Sequence, residues 1–185
     1  MEIYIIANYL GVTWLISRGG EVKSAPIFLL GLAMSIDQKL AALNITLPAV
    51  ATPAAAYVMY VRTGNTLFVS GHIAKKDGKP WVGQFGRNMT TDEGKQAARS
   101  IAIDLMATLK DACGGDLSKV KRIVKLVSLV NSSPDFTEHH LVTNGASELL
   151  AEVFGDAGRH ARSAFGVAQI PLGACVEIEM VAELS

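Results

Sequence analysis

The chain has 185 residues, of which 50% are hydrophobic, 18% charged and 6% aromatic; this suits one compact domain with its own core and is too apolar for a disordered chain. Seventeen basic side chains balance seventeen acidic ones, so no long-range field gathers polyanions, and nucleic acid is a poor first partner. The two cysteines, Cys113 and Cys175, lack C-x-x-C spacing; no disulfide framework is required, and a reducing, cytoplasmic setting is expected.

Residues 1–33 differ from the rest, with apolar runs at Ile3 to Ile16 and Pro26 to Met34 around the polar stretch Ser17 to Ser24. Neither run reaches the roughly 20 residues needed to cross a bilayer. Glu2 directly after Met1, with no clean cleavage site downstream, argues against a secretory signal. The segment is read as an N-terminal extension before a single domain over 34–185.

Ser35 with Gln38 three residues on forms a capping box that opens a helix over 35–44. Pro48 to Ala56 reads as a linker. Tyr57 to Arg62 and Thr66 to Ile73 flank Thr63-Gly64-Asn65 as a hairpin, and Asp77-Gly78 turns the chain before a third short strand at Trp81 and Val82. A second capping box, Thr90 with Glu93, starts a helix whose apolar positions Ala98, Ile101, Leu105, Leu109 and Ala112 recur every three or four residues until Gly114-Gly115. Val120 to Val130 is a β-branched run. A second amphipathic helix follows through Val142, Leu149, Leu150 and Val153, closed by Gly155 to Gly158. Two more strands, Ala161 to Ile170 and Ala174 to Ala182, surround Pro171-Leu172-Gly173. The order predicts an α+β fold, a mixed six-stranded sheet with both long helices on one face. The other face keeps Val, Ile and Phe without a helix layer, so self-association is expected.

Arg162, at a strand start among Ala161, Ala164, Phe165 and Val167, offers a planar fork suited to a small carboxylate, or else snorkels to solvent or pairs with an internal acid. Glu177 and Glu179 share one face of the final strand, and an apolar setting would make one of them a base. Gly71, after Ser70, lets a ligand approach the backbone or marks an ordinary bulge; Tyr57 supplies a hydroxyl or simple packing. No metal or cofactor is expected: His139-His140 lacks the i, i+4 spacing of a metal pair, Gly83-x-x-Gly86 has no phosphate-loop lysine, and neither cysteine has an adjacent histidine.

Tyr57, Ser70-Gly71-His72-Ile73, Val130-Asn131 to Asp135-Phe136, Asn144, Ala161-Arg162-Ser163 and Ile170-Pro171 to Val176-Glu177-Ile178-Glu179 together resemble the Rid (YjgF-type, endoribonuclease L-PSP-like) proteins over about residues 57–183. Asp37 to Pro48 and Val142 to Ser147 look like a bacterial subgroup of that family. The resemblance implies a chorismate-mutase-like fold, a homotrimer with clefts between subunits, and hydrolysis of small enamines and imines such as 2-aminoacrylate to 2-keto acids and ammonia. It places Arg162 as the carboxylate-binding arginine, Glu177 as the acid that orients water, and Tyr57, Ser70, Gly71, Asn144 and Ala164 as pocket groups. Ala164 departs from the pattern, standing where a cysteine is common, and His72 and Ala74 stand where glutamine and proline are usual. If the last two strands form a simple hairpin, Arg162 lies roughly 20 Å from Glu177; a neighbouring subunit or an intervening strand would then have to bring them together. Two alternatives stay beside the deaminase reading: a non-catalytic trimer that binds small carboxylates, and an L-PSP-like ribonuclease.

Overall fold

A computed structural model describes residues 5–9, 12–16, 34–50, 52–53 and 55–185, and its contacts divide the chain into two units, Met1–Met34 and Ser35–Ser185. In the first, strands β1 (Ile5–Tyr9) and β2 (Val12–Ile16) pair antiparallel, with Ile5 opposite Ile16 and Tyr9 opposite Val12.

The second unit opens with helix α1 (Ile36–Ala42), capped as its sequence dictates: the Gln38 N–H donates to Ser35 Oγ at 3.2 Å, and the Ser35 N–H donates to Gln38 Oε1 at 2.8 Å. The helix lies inside the expected 35–44, with Ser35 and Leu43 as its caps. Strands β3 (Tyr60–Thr63) and β4 (Thr66–Ile73) form the hairpin, closed at Thr63 opposite Thr66. Tyr57 therefore precedes the first strand of this hairpin rather than opening it. Trp81 and Val82 form no strand. Instead β5 (Lys75–Lys76) and β6 (Lys79–Pro80) pair across Asp77 and Gly78, both at positive φ, and Val82 makes a single bridge to Ala174. The two-residue turn spends the pairing on its immediate neighbours, and Pro80 has no N–H to extend it.

Helix α2 (Thr91–Ala112) starts at the second capping box and crosses from β4 to β7 (Val120–Asn131); α3 (His139–Phe154) crosses from β7 to β8 (Ala161–Val167); and β9 (Val176–Leu184) ends the chain. Among the described residues the main sheet has five strands, not six, in the order β3-β4-β9-β7-β8. Only β7 and β8 run parallel as neighbours; β9 is inserted antiparallel between β4 and β7. The last two strands are thus separated by β7 and do not form a hairpin. A crossover through α3 forces β8 parallel to β7, so β9 takes the other side of β7, where both its edges are paired.

One sheet face is covered by α2 and α3. Leu67, Val69, Leu126, Val130, Ile178 and Met180 point into this layer and meet Ile101, Leu105, Leu149 and Leu150, all buried. The helices approach closely at Gly145, where a Cβ would lie 1.9 Å from the Lys95 carbonyl oxygen. Among the described residues of this unit the opposite face carries no helix, and Val61 (55% exposed), Phe68 (50%) and Phe165 (46%) stand open on it.

Candidate functional site

The alternation of β4 breaks at Ser70-Gly71. Val69 pairs with Met180 and His72 with Ile178, so three steps on one strand match two on the other, and the strand bulges. The extra residue reverses the side-chain parity: Leu67 and Val69 are buried before it, His72 and Ala74 after it. Gly71 consequently lies beneath Glu177 on the uncovered face. A Cβ at Gly71 would sit 2.0 Å from Glu177 Oε1, so only glycine leaves room for that carboxylate. Burial, reinforced by the neighbouring Glu179 charge, holds the Glu177 carboxyl above its ordinary value. The bulge is fixed from both ends. The Ser70 hydroxyl donates to the Val58 carbonyl at 2.7 Å, and His72, 6% exposed, places Nδ1 2.8 Å from the Ser70 carbonyl and Nε2 2.9 Å from Thr108 Oγ1. Tyr57 is exposed just before Val58.

Arg162 occupies a second place. Its register partner on β7 is Leu126, which in turn pairs with Met180; both partners are buried, so Arg162 belongs to the helix-covered face and reaches α3 at the sheet edge. Nη1 donates to Asn144 Oδ1 at 2.9 Å and to Ser147 Oγ at 3.1 Å, and Nη2 donates to the His140 carbonyl at 3.2 Å. Of its five N–H groups, Nε–H and one on Nη2 have no protein partner among the described residues, and no carboxylate there pairs with it. Burial lowers its pKa, partly countered by Glu148, and a guanidinium remains charged regardless. A cavity of about 370 Å³ opens beside it, lined by Ser147, Ala151, Gly158, Arg159, His160 and Arg162. Ala164, two residues along the same face, is half-buried opposite Ser128. Further on, Ser132 Oγ and His139 Nε2 lie 3.0 Å apart against Gly166.

The structure therefore brings Glu177, Gly71 and Ser70 together, and Arg162 with Asn144, but it does not join the two groups. Glu177 pairs with Leu129, three positions along β7 from the partner of Arg162. With strand rises of about 3.3 Å and strand spacings of about 4.8 Å, the two Cα atoms are about 14 Å apart, and an odd offset puts the side chains on opposite faces. Ser147 and His160 were not among the sequence candidates; their only local signal is the basic run Arg159-His160-Ala161-Arg162 and the helix turn from Asn144 to Ser147. Cys175 is buried and its thiol is pushed up to about 11, which keeps it protonated. A larger cavity, about 870 Å³, lies away from both groups between α1, residues 45–50 and the end of α2.

A mixed sheet with two crossover helices on one face, an arginine fork at its edge strand and a glutamate over a glycine bulge define a chorismate-mutase-like domain with a polar site and no nucleophile elbow. Residues 37–184 match the family model described as "YjgF/chorismate_mutase-like, putative endoribonuclease", and the chain belongs to this Rid/YjgF family. It is similar to Protein TCP17 of Trypanosoma cruzi, with 51% identity over 145 residues, 77% of this chain and 90% of that one. Among solved structures, Atu1372 of Agrobacterium tumefaciens, a protein of unknown function, shares 42% identity at a TM-score of 0.76, covering 81% of this chain and 92% of that one. A structure from Shewanella oneidensis, named as an endoribonuclease candidate, shares 36% identity at a TM-score of 0.78, covering 82% and 100%. Among the described residues, no helix is long and apolar enough to cross a membrane.

Proposed function

We propose that the protein hydrolyses small 2-imino acids to 2-keto acids and ammonia, in clefts between copies of the chain assembled as a trimer. The observation that carries this reading is the state of Arg162: Asn144, Ser147 and the His140 carbonyl fix one side of the guanidinium, and its remaining N–H groups meet no acid among the described residues. Such a fork is preorganised for one carboxylate, the permanent charge of a 2-imino acid. Holding that end presents the C=N carbon to water. A water attacks this carbon while Glu177, supplied by another copy, takes one of its protons and returns it to the nitrogen; the new hydroxyl then gives up its remaining proton, relayed by Glu177 to the nitrogen, as the C–N bond breaks, so that ammonia leaves and the carbonyl forms. A carboxyl held above its ordinary range by burial and by Glu179 suits a group that both accepts and returns a proton near neutrality. The uncovered apolar face around Phe68 and Phe165 supports assembly, and assembly supplies the partner groups that one chain keeps apart. Uncatalysed imine hydrolysis is already fast, so positioning with one acid-base group is sufficient and neither metal nor cofactor is required.

A ribonuclease, the activity suggested by the names of some relatives, fits less well, because a chain of zero formal charge has no net field to gather a polyanion. The deciding experiment supplies the imine in situ from a pyridoxal-phosphate threonine dehydratase and follows keto-acid release against a semicarbazide trap. The protein is expected to accelerate release, and Arg162→Gln to lower kcat/KM on the order of 100-fold, the effect of losing two charge-assisted hydrogen bonds. No acceleration by the intact protein, or full acceleration by Arg162→Gln, would eliminate the reading. Keto-acid binding without turnover would instead leave a carboxylate-binding trimer.

A further inference from the structure

The cavity beside Arg162 contains a hydrogen-bond line whose direction is fixed by its ends. At one end Arg162 can only donate, and Nη1 gives a proton to Ser147 Oγ at 3.1 Å. At the other, the Gly158 carbonyl can only accept, and it lies 2.6 Å from His160 Nδ1, so that nitrogen carries the proton. His160 Nε2, 3.0 Å from Ser147 Oγ, is then the acceptor in the neutral ring, and the Ser147 hydroxyl must donate to it. Guanidinium, hydroxyl, imidazole and carbonyl form one chain with a single consistent proton arrangement.

We propose that His160 is a positioning residue of this site, holding Ser147 and through it Arg162 in line, and that carboxylate capture at Arg162 is coupled to proton uptake at the His160 ring. This inference rests on the reading of Arg162 as the carboxylate anchor. The charged groups of the surrounding elements are Arg162 of β8, Glu148 of α3, Lys125 of β7, the register partner of Ala161, and the exposed Arg159–Asp156 pair of the preceding turn. Burial and the Arg162 charge keep the ring neutral to a lower pH than an ordinary histidine, against the pull of the Gly158 carbonyl. An anion on the guanidinium offsets that charge, so anion and proton favour each other, and linkage requires the effect to be reciprocal. Protonation turns Nε2 into a donor; Ser147 Oγ then accepts from both neighbours and directs its own proton elsewhere, which leaves the bond to Arg162 in place. Carboxylate affinity is therefore expected to rise as pH falls through the His160 titration.

The test uses 2-oxobutanoate as the probe and the intact protein, with NMR titration of the His160 ring and calorimetry in two buffers of different ionisation enthalpy. Saturating probe is expected to move the His160 midpoint upward by about half a unit, equivalent to about threefold in affinity across the transition, with net proton uptake near the midpoint. His160→Leu, which cannot accept from Ser147, should bind about fivefold more weakly. His160→Gln, whose amide oxygen can accept, should recover most of that loss, and neither variant should take up a proton. A His160 midpoint unmoved by probe, in a protein whose binding Arg162→Gln abolishes, would overturn the coupling and leave the anchor standing. No binding of 2-oxobutanoate at millimolar concentration would overturn the anchor and the coupling together.

Discussion

The two faces of the main sheet differ in what their side chains accomplish. On the helix-covered face, Leu126, Ile178 and Met180 are fully buried against α2 and α3, and packing alone accounts for them. On the uncovered face Phe68, Val61 and Phe165 are about half exposed around Glu177 and Glu179, apolar area of the kind that associating surfaces present. Arg162 is the exception on the covered face: it sits at the edge strand under α3, and its polar contacts to Asn144, Ser147 and His140 replace the apolar packing found further in. The apolar core is concentrated on one side of the sheet, and the polar groups of the proposed site lie on the other side and at the edge.

The largest effect that would break this contrast is in the core. Leu126→Ala should cost about 3 kcal/mol of unfolding free energy, read by denaturant titration, because a fully buried leucine leaves a cavity. Phe68→Ser, at 50% exposure, should cost the isolated protomer less than about 1 kcal/mol yet weaken association in sedimentation equilibrium. Equal destabilisation by the two, with association intact, would mean that the open face does not serve assembly.

Gly71→Ala sharpens the contrast with a smaller change. The atom that a new Cβ would strike is Glu177 Oε1, at 2.0 Å, the mobile end of a long side chain, so the carboxylate swings away and the fold survives. The melting temperature should stay within about 3 °C, under 1 kcal/mol for a domain of this size, while imine hydrolysis falls to the level of a Glu177→Gln variant. Retained activity would separate the bulge from the chemistry.

Local rules made much of the fold legible. Ser35 with Gln38 and Thr90 with Glu93 announce two helices, and both boxes form with the expected bonds; the crossover order predicted one covered face. One failure is local and the others are not. The strand placed at Trp81 and Val82 lost to the tight turn at Asp77-Gly78, whose pairing ends at Pro80. The insertion of β7 between β8 and β9 depends on sheet closure, which no window of sequence reports. Gly71 was readable as a bulge or as a place for ligand approach; the structure shows a bulge whose free space is filled by Glu177 from β9, a strand more than a hundred residues away. The Ser147–His160 link escaped for the same reason: its two members, thirteen residues apart, meet only once α3 has folded back on β8.

The smallest expected effect concerns pH and stability. The folded-state pKa of Glu177 is raised from its ordinary 4.5, first by burial and then by Glu179. Above 4.5 the unfolded chain gives up that proton more readily than the native protein does, so the native state binds more protons and its stability falls as pH rises through the window between the two values. Replacing the carboxyl by an amide removes this penalty. Glu177→Gln should melt slightly above the parent protein at pH 7, the two curves should converge as pH drops below 4.5, and catalysis should be lost throughout. A variant that melts below the parent at neutral pH would show that the Glu177 charge is compensated in the folded assembly, and the glutamate would then belong with the residues that hold the protein together rather than with those held in tension for its chemistry.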